Sequence, residues 1–583
     1  MGDYLALYWP RGMPGVAADA MRAAIEAEGA WTLAFEAYQL VVYVKGPRAP
    51  KVRALPDQGG VVIGELFDTA ATREGRVQDF PIALIKDVAA QDAARILATH
   101  AWGRYVAVLK AGDRPPWIFR DPSGAVECLA WVRDEVTIIS SDVAAQRAWS
   151  PDRLAIDWSG LGRVLARGNL WGEICPLAGV TAIAPGTARC DLGDAALSLW
   201  RPGDHARRSR HDVSPRDLAR VVDASVAALA RDRSAILVEI SGGLDSAIVA
   251  TSLARCGAPV VAGINHYWPE PEGDERRWAQ DIADRCGFRL IAGQRQRLLL
   301  DEAKLLRHAQ GPRPGLNAQD PDLDHDLAEQ AKALGADALF SGQGGDGVFY
   351  QMANAALAAD ILMGKPAPMG RAASLAAVAR RARATVWSLC GQAMFPSRAF
   401  AAGMPPPSFL SAGLAPPPVH PWIADQRGVS PAKRIQIRGL TNIQCAFGDS
   451  LRGRAADLLY PLMAQPVMEL CLSIPAPLLA VGALDRPFAR AAFADRLPPR
   501  SLVRRSKGDV TVFFSKSLAA SLPALRPFLL DGRLAEQGLI DRAKLEPLLH
   551  PEPMIWRDSV GEVMLAAYLE AWVRAWEAKL RVS

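Results

Sequence analysis

No apolar run in the sequence reaches the roughly 18–20 residues that a membrane span needs. The opening residues Met1-Gly2-Asp3-Tyr4 carry no basic stretch followed by an apolar core and a small-residue cleavage site, so no signal peptide is expected. Both absences point to a cytoplasmic protein with no membrane partner. The eight cysteines contain no C-x-x-C pair, which argues against metal sites and disulfides and for reduced, mostly buried thiols. No RNA- or DNA-binding motif is present, and a formal net charge of +5 is only mildly basic, so no nucleic-acid partner is expected. The basic run Arg207-Arg208-Ser209-Arg210 lies between two better-patterned halves and reads as a solvated linker. There is no internal repeat.

What is present is enough chain for two to four domains, 583 residues of which 50% are hydrophobic. Residues 1 to about 200 read as many short strands, among them Tyr4–Tyr8, Leu40–Val44, Tyr105–Leu109 and Val136–Ile139, punctuated by Gly, Pro and Asp. A layered, mostly antiparallel sheet domain follows, with a few helices such as Asp19–Glu28. After about residue 212 the pattern changes. Asp217–Ala230 has helical spacing, Ala235–Ile240 is a nearly continuous apolar run, and Ala247–Arg255 is helix-like. Pro259–Ile264 reads as a further strand and Glu275–Cys286 as a further helix. Alternation of this kind implies a parallel sheet covered by helices on both faces. Beyond residue 350 the chain is rich in Ala, Leu and Arg and reads as helical, with an irregular Pro-rich loop over 404–421.

The most informative segment is Ser241-Gly242-Gly243-Leu244-Asp245-Ser246, where a buried strand runs through a Gly-rich turn into a helix. Glycine lets the backbone approach an anion closely. The N–H groups of the turn and helix start can then cradle phosphate oxygens, with Ser241 and Ser246 adding hydroxyls. It is not a Walker loop, because the Lys-Ser/Thr ending is absent. A second strand–turn unit, Ala338-Leu339-Phe340 into Ser341-Gly342-Gln343-Gly344-Gly345-Asp346, ends in an aspartate. The first string resembles the pyrophosphatase loop of the ATP-pyrophosphatase superfamily. That resemblance implies ATP cleaved between its α- and β-phosphates, with the β- and γ-phosphates on this loop and Asp245 on magnesium. Mg²⁺ takes one or two carboxylates plus phosphate oxygens and water, and Asp346 is the second carboxylate.

Further strings resemble the asparagine synthetase family over nearly the whole chain. They are Gly103–Ala107 and Arg120-Asp121-Pro122-Ser123-Gly124, Ala184–Thr187 and Trp200-Arg201-Pro202, Tyr460-Pro461-Leu462 with Leu470–Pro475, and Leu497-Pro498-Pro499 with Arg504-Arg505-Ser506-Lys507-Gly508. The resemblance implies an α/β chain of two domains. Residues 1–204 would form a glutaminase-like (Ntn-hydrolase-like) α/β/β/α sandwich. Residues 212–583 would form an ATP-pyrophosphatase (adenine nucleotide α-hydrolase-like) parallel-sheet domain with a helical extension. It also implies that Lys507 stabilises charge developing at the α-phosphate or the tetrahedral intermediate. The backbone around Gly263 and Ile264 would hold the adenine. His266, beside them, reads as a local hydrogen-bonding residue.

Glutamine-using members carry an N-terminal cysteine nucleophile. Here Gly2 stands in that place and no cysteine precedes Cys128. Glycine cannot replace a nucleophile, so the first domain is expected to be inactive as a glutaminase. β-Lactam synthetase and the lasso peptide cyclases share that loss, and both join a carboxylate to a nitrogen carried by the substrate. Gln343 stands where β-lactam synthetase has tyrosine and asparagine synthetases have glutamate, and it cannot act as a base. A peptide N-terminal amine, with a reference pKa near 8, needs little help. The expected activity is therefore an AMP-forming, Mg²⁺- and ATP-dependent macrolactam synthetase of lasso peptide (RiPP) biosynthesis. It would adenylate an Asp or Glu side chain of a core peptide freed by a leader peptidase, with Gln343 and Gly344 near the substrate. The alternatives are an amidotransferase using ammonia or a small amine, a β-lactam-synthetase-like small-molecule cyclase, and a non-catalytic nucleotide-binding scaffold.

Overall fold

The computed structural model describes residues 2–10, 15–112, 114–167, 172, 174–268, 273–315, 320–394, 406–414, 419–505, 510–556 and 559–581. Two six-stranded antiparallel sheets make up the N-terminal part. In spatial order the first contains Thr181–Ala182, Leu129–Arg133, Val136–Ser140, Asp3–Tyr8, Leu40–Lys45 and Thr32–Ala37. The second contains Leu197–Ser198, Thr187–Arg189, Arg114–Arg120, Ala101–Ala111, Gly60–Asp68 and Val52–Ala54.

Alternation along the strands decides which side chains meet. Tyr4, Ala6 and Tyr8 of one sheet share a buried core with Val61, Ile63, Val106 and Val108 of the other. The opposite faces are covered by helices. Ala90–His100 packs beneath Tyr105 and Ala107 on the second sheet. Val16–Ala27 and Trp158–Arg167 lie over Leu5, Leu7 and Trp131 on the first. The result is a helix–sheet–sheet–helix stack, whose mostly antiparallel sheets are those expected from the short-strand pattern.

The C-terminal part is built on a five-stranded parallel sheet. Its spatial order is Leu290–Gln294, Val260–Tyr267, Ile236–Glu239, Ala338–Phe340 and Asp457–Leu459. The strand at 236–239, the strand at 260–267 and the helices Pro215–Ala230, Leu244–Arg255 and Arg276–Cys286 fall where the apolar spacing puts them. The strands at 290–294 and 457–459 escape the sequence pattern. The first has half-exposed residues on both faces. The second is three residues long and sits in a region otherwise helical.

From the central strand, later strands are added first on one side and then on the other. The order therefore reverses between Ile236–Glu239 and Ala338–Phe340, and open α/β sheets bind ligands at the carboxyl ends of strands beside such a reversal. Both Gly-rich loops leave the sheet there.

The two parts are joined by apolar and charged contacts. The helices Val510–Leu530 and Val560–Arg581 contribute Leu522, Trp572 and Trp576 to the cluster that covers the first antiparallel sheet. Asp457, 2% exposed, pairs with Arg48 at 3.2 Å, Arg104 at 3.4 Å and Arg233 at 3.0 Å. Burial pushes its carboxyl up, but Arg104 and Arg233 overcome that and hold it well below the usual carboxylate range. The basic run at 207–210 is anchored, which a solvated linker would not be. Arg207 donates to the Arg427 carbonyl at 2.8 Å, and the Arg210 N–H donates to the Ser473 carbonyl at 2.6 Å.

Candidate active site

Strand pairing of Val238 with Phe340 sets the two Gly-rich loops side by side. In the first loop the Ser241 N–H donates to Ser246 Oγ at 3.2 Å, and the two hydroxyls lie 3.1 Å apart. Ser246 Oγ also donates to the Gly243 carbonyl at 3.2 Å. These bonds fold the turn over the start of the helix Leu244–Arg255, whose first N–H groups face the loop. In the second loop the Gln343 N–H donates to Ser341 Oγ at 3.3 Å, and the Gln343 side chain is exposed. Gly344 holds a left-handed φ of +95° before the short helix Gly345–Val348.

The loops approach so closely that two glycines are required. A Cβ at position 342 would sit 2.5 Å from the Ser246 nitrogen, and one at 345 would sit 2.6 Å from the Asp245 Cβ. Asp245 and Asp346, far apart in sequence, converge as a result. One guanidinium nitrogen, Arg486 Nη1, donates to Asp245 Oδ2 and to Asp346 Oδ1, each at 2.6 Å. The Asp245 side chain is 12% exposed and that of Asp346 55% exposed. With its amide nitrogen turned toward Asp346, Gln351 donates to that carboxylate at 2.7 Å.

Hard carboxylate oxygens directed at one position suit Mg²⁺, which draws its remaining ligands from phosphate oxygens and water. Among the described residues no group of three His, Cys, Asp or Glu could hold a metal unaided. A pair of aspartates completed by a nucleotide is consistent with that.

Gly263 and Ile264 lie inside the strand Val260–Tyr267. The Gly263 N–H donates to the Arg289 carbonyl at 2.8 Å, and the Ile264 carbonyl accepts from the Ile240 N–H at 2.7 Å. Asn265 caps the neighbouring strand by donating to the Ile240 carbonyl at 2.8 Å. His266 Nε2 lies 2.7 Å from Asp326 Oδ2, a local hydrogen bond as expected.

Lys507 lies outside the described residues. The segment leading to it is tied to the first loop by Arg504, which donates to the Gly242 carbonyl at 2.7 Å, pairs with Glu275 and stacks on Trp278 at 4.2 Å.

Arg486 was invisible in the sequence. It precedes Pro487 in an ordinary Asp-Arg-Pro string, and only packing brings it to the two aspartates. The Arg-Arg-Ser-Lys string was a signal for Arg504, but its contact with Gly242 was not foreseeable.

A model of the asparagine synthase family matches residues 217–574, more than half of the chain. The chain belongs to the asparagine synthase family. No curated protein matches it. The matched residues contain both loops, Arg486 and the segment around Lys507. Asparagine synthase-family domains are ATP-dependent, AMP-forming ligases that use ATP with Mg²⁺. No helix among the described residues is long and apolar enough to cross a membrane.

In the N-terminal half, backbone crowds position 2. The Gly2 N–H donates to the Arg48 carbonyl at 2.6 Å. A Cβ at position 2 would strike the Lys45 carbonyl oxygen and lie 3.1 Å from Ala49 Cα. Arg48 turns away to the other half, donating to the Ala455 carbonyl at 2.7 Å and to Asp457. A cavity of about 620 Å³ lies between Gly2, Arg120 and Glu127 on one side and Arg313 and Gln444 on the other, away from the nucleotide loops.

The Arg120-Asp121-Pro122-Ser123-Gly124 turn is structural. Arg120 donates to the carbonyls of Val126, Ile183 and Gly124, and Asp121 accepts from the Tyr105 and Ser123 N–H groups. Burial pushes Asp121 up to about 6 and the Cys128 thiol up to about 12.

Proposed function

We propose that this asparagine synthase-family chain is a macrolactam synthetase, joining a side-chain carboxylate of a peptide to the same peptide's N-terminal amine. The observation that carries the reading is the steric closure at Gly2, where backbone fills the space a nucleophilic side chain would need. Ammonia freed from glutamine at that position is then not the nitrogen source. The intact pair Asp245 and Asp346 argues against a passive scaffold.

In this reading ATP lies with its β- and γ-phosphates on Ser241–Ser246, beside Ser341 and Gly342. A carboxylate oxygen of the peptide attacks the α-phosphorus, the bond to the β-phosphate oxygen breaks, and pyrophosphate leaves. The peptide amine then attacks the acyl carbon of the resulting acyl-adenylate, loses a proton, and AMP departs with the carboxyl oxygen's bonding pair. Asp245 and Asp346 would hold Mg²⁺, which supplies neutralisation of phosphate charge. Lys507 would face the charge that develops at the reacting centre. Gln343, exposed on the second loop, and Gly344 next to it would contact the peptide. The helical region between residues 350 and 445 would hold the peptide folded for ring closure, an entropic contribution. A leader peptidase that exposes the amine is the expected partner.

The test is to incubate the full chain with Mg²⁺, ATP and a linear core peptide bearing a free N-terminus. AMP should appear in step with a peptide product lighter by one water. AMP formed only with ammonia or a small amine and a small acid would point to an amidotransferase. No AMP with any of these would end the ligase reading.

A further inference from the structure

Arg486 stands where two carboxylates converge, and its surroundings hold it there. Its Nε and Nη2 donate to Asp485 Oδ2 at 2.8 and 2.7 Å, and Arg490 steadies Asp485 at 2.6 Å from the other side. The backbone at Arg486 is left-handed, φ +48° and ψ +48°. A residue other than glycine keeps that conformation only where its contacts impose it. The side chain is 5% exposed, and burial alone would lower its pKa. Asp245, Asp485 and Asp346 more than offset this and raise it.

We propose that Arg486 is a place-holding counter-ion for the divalent cation, a role that rests on the metal reading of Asp245 and Asp346 given above. Two carboxylates brought this close repel one another unless a cation lies between them. Arg486 supplies that charge and keeps the pair converged. The oxygens it engages, Asp245 Oδ2 and Asp346 Oδ1, are ones Mg²⁺ would bind at about 2.0–2.1 Å. Ion and guanidinium nitrogen cannot share that position. The guanidinium therefore has to turn away for an ion to enter, and a bare ion has to compete with it. An ion arriving with a nucleotide brings phosphate charge that offsets the displacement. The device thus couples metal entry to nucleotide entry and disfavours a metal-loaded site without ATP.

The probe is Mn²⁺, titrated by electron paramagnetic resonance into the full-length protein without nucleotide or peptide. Arg486→Gln should bind one Mn²⁺ about tenfold or more tightly than the wild type, and Asp245→Asn on that background should abolish the gain. Arg486→Lys should fall between, because an ammonium keeps the charge but lacks the further guanidinium nitrogens through which Asp485 holds Arg486 in place. In thermal unfolding, Arg486→Gln should melt lower than wild type in chelator and recover more on Mn²⁺ addition. If neither variant binds Mn²⁺ more tightly than wild type, the place-holder role is wrong. If Arg486→Gln does not fold, Arg486→Lys decides the comparison alone. The metal reading has its own control: wild type with ATP should hold Mn²⁺ in a way that Asp245→Asn removes. Failure there overturns the metal assignment and the proposal with it, whereas failure of the Arg486 variants alone overturns only the place-holder.

Discussion

A Cβ at position 2 would strike the Lys45 carbonyl, and a Cβ at position 345 would strike Asp245. The same missing atom has opposite consequences at the two ends of the molecule. At Gly2 the chain has closed in, its N–H bonded to the Arg48 carbonyl. At Gly345 the missing side chain makes room for a carboxylate, which then meets Asp346 across Arg486. Glycine marks a site only when the group that takes the vacated space carries chemistry. The contacts at Gly2 are backbone packing, whereas the C-terminal half holds a charged, convergent centre.

The strongest test of this contrast is Asp245→Ala, which should lower AMP formation by about 10³-fold, measured by chromatography of nucleotide products under conditions where wild type turns over. Activity within a few-fold of wild type would mean that the convergent centre is not the reacting one. Gly345→Ala should follow at about 100-fold, because the added methyl displaces Asp245 by a fraction of an ångström or more. Its circular dichroism should match wild type.

At the interface, Asp457→Asn should destabilise the protein by about 3 kcal/mol at neutral pH, since it strips a buried anion from three arginines. The native carboxyl is held below its unfolded pKa of about 3.9. Its contribution is therefore complete above that value and is lost as pH falls through the lower native pKa. The stability gap between wild type and variant should stay constant from neutral pH down to about 4 and narrow only in stronger acid. A gap that varied around pH 6 would point to a different group.

Gly2→Cys should release no glutamate from glutamine and should cost about 1–3 kcal/mol of stability through overpacking, read by denaturant titration. Glutaminase activity in that variant would show that the closure is not real. The smallest expected signal is at Cys128, whose thiol is pushed up to about 12 by burial. It should resist alkylation in the native protein at pH 8 and react once unfolded.

Much of this was legible in local sequence. Ser241–Ser246 and Ser341–Asp346 could be recognised because a strand, a Gly-rich turn and a helix start are specified within about ten residues by periodicity and backbone freedom. The central strands were legible for the same reason. The edge strands Leu290–Gln294 and Asp457–Leu459 were not, because a mixed-polarity or three-residue segment becomes a strand only when a neighbour offers it hydrogen bonds.

By itself, then, the sequence determined that a strand–Gly-turn–helix unit and a second Gly-rich turn exist, that each carries an aspartate, and that position 2 has no nucleophile. The tertiary structure alone decided that the two aspartates face one another, because parallel pairing of Val238 with Phe340 sets the spacing of the loops. It alone also brought Arg486, 241 residues from Asp245, between them. Hydrogen-bond geometry and steric exclusion act over neighbouring residues and leave a mark in the sequence. The position of a charged side chain at a distant turn depends on how whole helices and strands pack, and no local pattern records it.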